Sequence, residues 1–367
     1  MSEKRILPAL LLLGGLGWML PAQEAGACTT FCLSRGGEVV YGKNYDWQNG
    51  NGYLMVNQRG AAKSALVGPP DRPVSWTSKY GSVTFNQWGR EFPSGGMNEA
   101  GLVVELMWLD GTRYPEHDAR PALGALEWIQ YQLDNFARVS DVVAQAARTR
   151  IVSQAPLHFL VCEKTGRCAT VEFLDGKLVA HHGSNLPVPA LANHSYQDSL
   201  EFLKSRRAEV WATGGGEERI TGGRGSLERF ARASAMMEDY ASRTETTPVQ
   251  YAFEILDRVA QGSFTQWSIV YDLRRGRVHF KTRANRRERS VDLRALDFTC
   301  GGPLRMIDLE APGAGDVTRR LGAYTAEKNR DLVFLSYETT PEFRGAPREV
   351  VAAIASHPER TTCARKP

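Results

Sequence analysis

The order of predicted elements favours an α+β protein built as a four-layer αββα sandwich of two antiparallel sheets flanked by helices. Strand-forming segments come in groups joined by tight turns, as in antiparallel sheets and unlike βαβ units. Two pairs of amphipathic helices separate these groups. We see no internal repeat and no interdomain linker in the 367 residues. The sequence therefore predicts a single domain over residues 28–367 that ends in a C-terminal tail.

Strands are predicted where short runs of branched and aromatic residues lie between turn residues. The first hairpin turns at Arg35-Gly36-Gly37, and its second strand leads into Lys43-Asn44-Tyr45-Asp46-Trp47. The second strand folds back along the first, which brings Asp46 towards the start of the first strand. The predicted strands cover residues 29–34, 38–42, 53–58, 102–108, 157–162, 168–173, 177–182, 266–272 and 277–282.

Helices are predicted where apolar residues recur at a spacing of three and four. The clearest covers residues 122–136, where Leu126 and Leu133 share one face and Pro121 stands near the start. A glycine-rich stretch over residues 212–225 is predicted to be a loop. The other predicted helices cover residues 139–147, a short segment that ends at Phe202, 227–240 and 249–259.

Six cysteines are present, and two of them face each other across a predicted hairpin. A three-residue loop that ends at Gly166 places Cys162 directly opposite Cys168. We expect a disulfide between them, because an exported protein meets oxidising conditions. A second pair, Cys300 with Cys363, would tie down the C-terminal tail. The sequence has no CxxC pair, so we expect no metal site.

The first 27 residues have the features of a secretory signal peptide. A basic n-region and an apolar run come first, and Ala25 and Ala27 occupy the small-residue positions that a signal peptidase reads. We therefore expect residues 1–27 to be removed and the mature protein to be periplasmic or secreted. No later apolar run approaches the length of a membrane span, so we expect no membrane anchor after processing.

Cleavage after Ala27 makes Cys28 the first residue, with a free α-amino group beside its thiol. An α-amine titrates at about 7.7–8.0, so Cys28 then carries both a nucleophile and its general base. Two alternatives stay open at this point. Cys28 could be lipidated, although a lipoprotein box has a large aliphatic residue where Ala25 stands. It could also form a disulfide, although Cys32 lies about 13 Å away along a strand.

Composition and charge are those of an ordinary soluble globular protein. Hydrophobic residues make up 42% of the chain and charged residues 23%. The 45 basic and 41 acidic residues leave a net charge of only +4, which argues against a polyanionic partner. The densest basic run, residues 283–289, is typical of a solvated strand end or loop, so we expect no nucleic-acid binding.

Six fragments in this order resemble the choloylglycine hydrolase and penicillin V acylase family of N-terminal nucleophile (Ntn) amidases. The fragments are Cys28-Thr-Thr-Phe, Gly42-Lys-Asn-Tyr-Asp46-Trp47, Gly96-Met-Asn-Glu-Ala-Gly-Leu102, Leu191-Ala-Asn193, Leu227-Glu-Arg229-Phe230 and Thr265-Gln-Trp-Ser. The resemblance runs through most of the mature chain. It implies the Ntn-hydrolase αββα fold, assembly as a homotetramer, and cleavage of linear amide C–N bonds without a metal or organic cofactor.

By position, the resemblance implies four catalytic residues. Cys28 supplies the attacking thiolate with its own amine as proton shuttle, and Asp46 holds that amine. Asn193 donates an N–H to the oxyanion, and Arg229 lies close to the sulfur and favours the thiolate. Taken without the resemblance, Asp46 could lie at the surface, Asn193 could form a turn, and Arg229 could lie on a helix face.

Two supporting positions depart from the family pattern. The family usually has arginine where Lys43 stands, and lysine keeps the charge but loses the planar five-donor fork. Trp108 occupies the position where related bile-salt hydrolases tend to carry asparagine and Gram-positive penicillin V acylases tyrosine. We therefore expect the second oxyanion donor to be a backbone N–H, such as that of Trp108. Tryptophan here, with an exported precursor, resembles the Gram-negative branch of the family.

The substrate-binding residues predicted from the sequence are Trp47, Trp108, Met55 and Phe85, with Trp76 as a further candidate for an apolar acyl pocket. The expected substrate is a small acyl amide, of the penicillin V or N-acyl homoserine lactone type. Conjugated bile salts are the alternative substrates. The alternative from another class is a non-catalytic periplasmic lipoprotein that binds an apolar ligand.

Overall fold

The computed structural model describes residues 28–213 and 223–364. The predicted signal peptide and most of the glycine-rich loop predicted over residues 212–225 lie outside the described residues. Across the described part of the chain, no helix combines the length and the apolar character that a membrane span requires.

Two large sheets stack face to face, and side chains from one sheet reach the backbone of the other. Tyr41 of the first sheet donates a hydrogen bond to Leu160 O of the second at 3.1 Å. The strands are β1 (Thr29–Arg35), β2 (Glu38–Asp46), β3 (Tyr53–Asn57), β4 (Ala61–Ser64), β5 (Ser75–Thr77), β6 (Ser82–Asn86), β7 (Gly95–Asn98), β8 (Leu102–Trp108), β9 (Ala122–Leu123), β10 (Arg150–Ile151), β11 (Leu157–Glu163), β12 (Cys168–Leu174), β13 (Lys177–His182), β14 (Ala190–Leu191), β15 (Thr265–Asp272), β16 (Arg277–Thr282), β17 (Arg289–Asp292), β18 (Arg305–Asp308), β19 (Gly315–Asp316), β20 (Gly322–Ala323) and β21 (Thr362–Cys363).

The first sheet has the strand order β14-β1-β2-β15-β16-β17-β19. The second has the order β13-β12-β11-β8-β7-β6-β3-β18-β20. Within these sheets only β19 runs parallel to its neighbour, at the edge of the first sheet. The smaller groups are β9 with β10, and β21-β4-β5. The main sheets are therefore antiparallel, as predicted.

Helices cover both outer faces of the paired sheets. The helices are α1 (Ala125–Asn135), α2 (Val139–Ala146), α3 (Tyr196–Thr213), α4 (Ser226–Asp239), α5 (Pro248–Arg258), α6 (Ala326–Thr339) and α7 (Arg348–Ser356). Helices α4 and α5 pack on β1, β2 and β15, while α1 and α2 pack on β7, β8, β11 and β12. This arrangement confirms the predicted αββα sandwich. Helix α3 is longer than the predicted segment that ended at Phe202.

The predicted Cys162–Cys168 hairpin is confirmed in both register and disulfide. Cys162 and Cys168 are paired across β11 and β12 and joined by a disulfide. Gly166 has φ +86°, the left-handed conformation that its loop requires. The second predicted disulfide, Cys300–Cys363, is also present.

The part of the chain predicted to be a C-terminal tail contains strands and helices. Strand β18 joins the second sheet beside β3, and β21 pairs with β4. Helix α6 buries two apolar and two polar residues, which weakens the apolar periodicity that predicts a helix. These residues are Asn329, Leu332, Val333 and Ser336.

Candidate active site

Cys28 lies at the start of β1 and at one end of a cavity of about 790 Å³. Its side chain is almost fully buried, with 3% exposed. Strand β1 pairs with β2 in the register Thr29 to Asn44. Continuing this register by one residue sets Cys28 beside Tyr45 and next to Asp46. The predicted approach of Asp46 to Cys28 is thus a direct result of the first hairpin.

Two groups of β2 act on the Cys28 thiol in opposite directions. Burial raises the pKa of the thiol above its ordinary value, and the Asp46 carboxylate adds to this. The positive charge of Lys43, the Asp46 backbone N–H and a hydrogen bond from Lys43 lower the pKa. Lys43 keeps a positive charge near the sulfur although it replaces the arginine usual at this position, and its Nζ donates to Leu106 O and to Met107 Sδ, the latter at 3.5 Å. Its ammonium is the nearby charge that favours a thiolate.

Asp46 is fully buried, and only one of its two carboxyl oxygens has a hydrogen-bond partner among the described residues. Thr265 Oγ1 donates a hydrogen bond to Asp46 Oδ1. Among the described residues Oδ2 has no hydrogen-bond partner. Burial raises the pKa of Asp46 to about 7, although Thr265, Arg229 and Lys43 lower it. A buried carboxylate oxygen without a donor is costly, so this position suits an additional N–H group.

Asn193 and Arg229 form a hydrogen-bonded pair beside the nucleophile strand. Asn193 Nδ2 donates to Trp108 O at 2.9 Å. Arg229 Nη2 donates to Asn193 Oδ1 at 2.6 Å, and its Nε donates to Thr29 Oγ1 at 3.0 Å. These contacts orient the amide so that its N–H groups point away from Arg229. In this geometry Arg229 positions Asn193, whereas Lys43 supplies the charge at the sulfur.

The backbone of Trp108 also faces this site. Leu109 N donates to Pro156 O across the β8–β11 ladder at 2.9 Å. Backbone groups alternate in direction along an antiparallel strand, so the N–H and C=O of Trp108 point to the other side. Asn193 reaches Trp108 O on that side. This geometry agrees with the expected role of the Trp108 N–H as a second oxyanion donor.

Sequence reasoning missed a carboxyl group behind Lys43. Glu105 Oε2 lies 3.9 Å from Lys43 Nζ, and both side chains are buried. Tyr271 donates a hydrogen bond to Glu105 Oε1. Gly95 lies so close that a Cβ there would come within 2.1 Å of the Glu105 carboxyl. Glu105 is the single charged residue within the otherwise apolar β8, a sequence signal that could have identified it.

A second missed group supports the segment that carries Asn193. His158 is fully buried and both ring nitrogens have partners, Glu172 Oε1 at 3.0 Å and Ala192 O at 2.8 Å. Glu172 Oε1 also accepts a hydrogen bond from Tyr196 N at 3.0 Å. The residues on both sides of Asn193 are thus held to β11 and β12.

Aromatic rings form the wall next to Cys28. The rings of Trp47 and Trp108 lie 5.8 Å apart, and both line the cavity together with Trp88. Trp47 Nε1 is buried without a hydrogen-bond partner among the described residues. The predicted placement of Trp47 and Trp108 at the cavity agrees with the structure, and Trp88 is a wall residue that the prediction did not include.

Met55 and Phe85, which were also predicted to bind the substrate, do not line this cavity. The Met55 side chain packs against Met306 and Leu332 instead. Phe85 lies between the sheets, with its ring 5.7 Å from that of Phe280. Trp76 also lies elsewhere, where it donates a hydrogen bond to Asp134. Alternation along each strand, which an aromatic count ignores, decides which side chains reach the cavity.

One group of three possible metal ligands occurs among the described residues, namely Cys32, Cys162 and Cys168. The last two are joined to each other as a disulfide. A disulfide has no thiolate to offer a metal ion, so this group does not fit one.

A family of known proteins matches this chain over most of its length. The model of the linear amide C–N hydrolases of the choloylglycine hydrolase family matches residues 28–306 and thus begins at Cys28. A penicillin V acylase from Pectobacterium atrosepticum is 25% identical over 357 residues, which cover 84% of this chain and 92% of that protein. Both the P. atrosepticum protein and the similar structure described next come from Gram-negative bacteria.

Solved structures show the same fold. The structure of a penicillin V acylase from Agrobacterium tumefaciens is 29% identical with a TM-score of 0.70, covering 81% of this chain and 98% of that one. A conjugated bile acid hydrolase from Clostridium perfringens is 18% identical with a TM-score of 0.64, covering 78% and 98%. The chain therefore belongs to the choloylglycine hydrolase family of linear amide C–N hydrolases.

Proposed function

We propose that this amide hydrolase is an exported cysteine amidase that cleaves amides of neutral apolar acids, such as penicillin V and N-acyl homoserine lactones. The observation that carries the proposal is the position of Cys28, between the charges of Lys43 and Asp46 and the end of an aromatic cavity. Periplasmic or secreted localisation follows from the predicted leader. Assembly as a homotetramer remains a prediction from the family.

The first half of the reaction makes a thioester. The Cys28 sulfur attacks the amide carbonyl carbon, and the carbonyl electron pair moves onto oxygen. Asn193 Nδ2 and the Trp108 N–H donate to this oxyanion, and one such donor contributes about 10²–10³ in rate. The C–N bond then breaks and the amine leaves. Water hydrolyses the thioester in the second half and releases the carboxylic acid.

The α-amino group of Cys28 carries the proton from the thiol to the leaving nitrogen. This amine takes the thiol proton and gives it to the departing nitrogen, which an amide nitrogen joined to Ala27 cannot do. The unpartnered Oδ2 of Asp46 is the acceptor that would hold the amine in place. Processing and activity are therefore linked, because the base exists only after cleavage.

The lining of the cavity supports a neutral acyl group. Trp47, Trp88, Phe92 and Leu106 are among its apolar residues. The described residues of the lining include two carboxyl side chains, Glu127 and Glu342, and no basic side chain. An acid with a second, anionic group would meet these carboxylates without a cation to pair with. The volume of the cavity, about 790 Å³, is typical of a small-molecule site.

The test begins with the mass and the first residue of the exported protein. A free Cys28 supports the proposal, whereas a diacylglyceryl adduct supports a lipoprotein. The purified protein is then given penicillin V, N-acyl homoserine lactones and glycine-conjugated bile salts in parallel. Cleavage of the first two substrates with Cys28 free is the expected result. Preference for the bile salts would overturn the substrate assignment but not the mechanism.

A further inference from the structure

One part of the cavity lining comes from a stretch of chain that follows the family match. That match ends at residue 306, whereas helices α6 and α7 and the segment between them begin twenty residues later. We call residues 337–354 the C-terminal wall. The wall residues that line the cavity are Tyr337, Glu342, Phe343, Gly345, Ala346, Pro347, Val350 and Ile354.

A continuous series of aromatic rings joins the nucleophile end to this wall. Trp47 lies edge-on to Trp88, with ring centroids 6.5 Å apart. Trp88 in turn lies edge-on to Phe343 at 5.2 Å and to Tyr337 at 5.5 Å. Phe343 and Tyr337 are 5.9 Å apart. An extended apolar chain bound at Cys28 and lying along these rings therefore meets Phe343 and Tyr337 at its far end.

Hydrogen bonds hold the wall in a defined place. Ser336 Oγ donates to Gln87 O at 2.7 Å, next to Trp88. Asn49 Nδ2 donates to Thr339 Oγ1 at 3.1 Å. Close packing has the same effect, since a Cβ on Gly89 would come within 2.6 Å of Val333.

The helices on either side of the wall are fastened as well. Asn329 Oδ1 accepts from Arg90 N at 2.7 Å, and its Nδ2 donates to Ala355 O at 2.9 Å. The Cys300–Cys363 disulfide closes the segment behind α7. These contacts anchor the two helices on either side of Phe343, which is the support that a steric limit on ligand length requires.

We propose that the C-terminal wall sets the length of the acyl group that the enzyme accepts, with Phe343 as the principal specificity-determining residue. The inference rests on the proposed function, in which the acyl group occupies this cavity. The preferred substrates are amides of elongated neutral acids whose far end contacts Phe343. Phe343 touches neither the scissile bond nor Cys28, so it affects chain-length preference and not the chemical step.

The test uses N-acyl homoserine lactones from butanoyl to dodecanoyl and the mature enzyme. Phe343→Ala is expected to raise kcat/KM for the longest chain relative to butanoyl by about tenfold, within the 10–200-fold that a methylene is worth in an apolar pocket. Phe343→Trp is expected to lower the same ratio by about tenfold.

Phe334→Ala is the matched control. Phe334 is a half-buried phenylalanine of α6, three residues before the wall, and it packs near Arg348 and does not line the cavity. This variant should keep the wild-type profile of kcat/KM against chain length. A mere loss of stability would change all chain lengths in the same proportion, so the profile separates specificity from folding. Equal profiles for Phe343→Ala, Phe334→Ala and wild type would overturn the inference.

A binding measurement separates failure of this inference from failure of the proposed function. Cys28→Ser enzyme, with and without Phe343→Ala, is titrated with the fatty acids from butanoic to dodecanoic. Binding is followed by the fluorescence of the cavity tryptophans, Trp47, Trp88 and Trp108. If wild type cleaves no lactone but Phe343→Ala shifts the binding optimum towards longer acids, the substrate assignment is wrong and the wall inference stands. An unchanged binding optimum refutes the wall inference alone.

Discussion

The two ends of the cavity differ in the kinds of residue that line them and in how deeply these residues are buried. At the reaction end, Cys28, Lys43 and Asp46 are buried polar or charged groups on adjacent strands of one sheet. At the acyl end, Phe343 is only half-buried and Val350 is 48% exposed. Charges act strongly where water is excluded, so the reaction end needs a rigid, dry frame. Recognition of an apolar chain needs only shape, which a surface segment outside the two sheets can supply.

This difference predicts two kinds of variant. Changes at the reaction end should lower kcat for every acyl group and leave the order of preference unchanged. Changes at the acyl end should reorder the substrates and leave kcat for short chains unchanged.

The largest effect is expected from one extra residue in front of Cys28. A chain that begins Ala27-Cys28 keeps the thiol and the fold but has no α-amine on the nucleophile. Its kcat should fall by about 10²–10⁴, the contribution of a positioned general base, for all acyl groups alike. The control is a chain that begins at Cys28, with both N-termini verified by mass. Turnover by the longer chain at the mature rate would show that the amine is not the base.

The second largest loss of kcat is expected from removal of the oxyanion donor. Asn193→Ala is expected to lower kcat by about 10²–10³ with little change in chain-length preference. Asn193→Asp is the matched variant, because it keeps an oxygen for Arg229 but removes the N–H group. Steady-state kinetics on penicillin V should show similar losses in both. If Asn193→Asp retained the wild-type kcat, Asn193 would serve only to accept from Arg229.

Removing the C-terminal disulfide should affect the acyl end. Cys300→Ser with Cys363→Ser is expected to lower the free energy of unfolding by about 2–4 kcal/mol, since this bridge closes a long loop. It should also raise KM for long acyl groups while kcat for short ones is retained. The control is Cys162→Ser with Cys168→Ser. This change removes the disulfide that closes the much shorter loop between β11 and β12. A rise in KM in the control alone would contradict the assignment of the wall.

The smallest effect concerns Glu127 on the cavity lining. Burial raises its pKa to about 7, although Leu66 N and Gly124 N both donate to it and lower the pKa. The folded state then binds more protons than the unfolded state between about pH 4 and 7, so Glu127 lowers the free energy of unfolding as the pH rises through that range. In Glu127→Gln this decrease should be smaller by on the order of 1 kcal/mol.

Urea unfolding of wild type and Glu127→Gln at pH 5 and pH 8 measures this effect. The substituted amide loses one backbone hydrogen bond, but that loss is the same at both pH values and cancels in the comparison. Equal changes between the two pH values in both proteins would show that Glu127 has an ordinary pKa. Acyl preference is not expected to depend on this carboxyl.

Much of the fold could be predicted because its signals are local. The first hairpin and the Cys162–Cys168 hairpin follow from turn glycines and the alternation of strands. Helix α5 begins where expected, with Thr247 accepting from Gln250 N and Pro248 in the first turn. Helix α6 was missed because Asn329 and Ser336 on its buried face bond to other segments, so no apolar stripe marks it.

Local patterns predict a leader before Cys28 and the hairpin that brings Asp46 beside it, since neighbouring residues and strand register suffice for these predictions. Long-range packing, in contrast, places Glu105 behind Lys43, Arg229 against Asn193, and the C-terminal wall along the cavity. These contacts join residues far apart in the chain. Their existence depends on how sheets and helices pack, and a linear pattern carries no record of which surfaces meet.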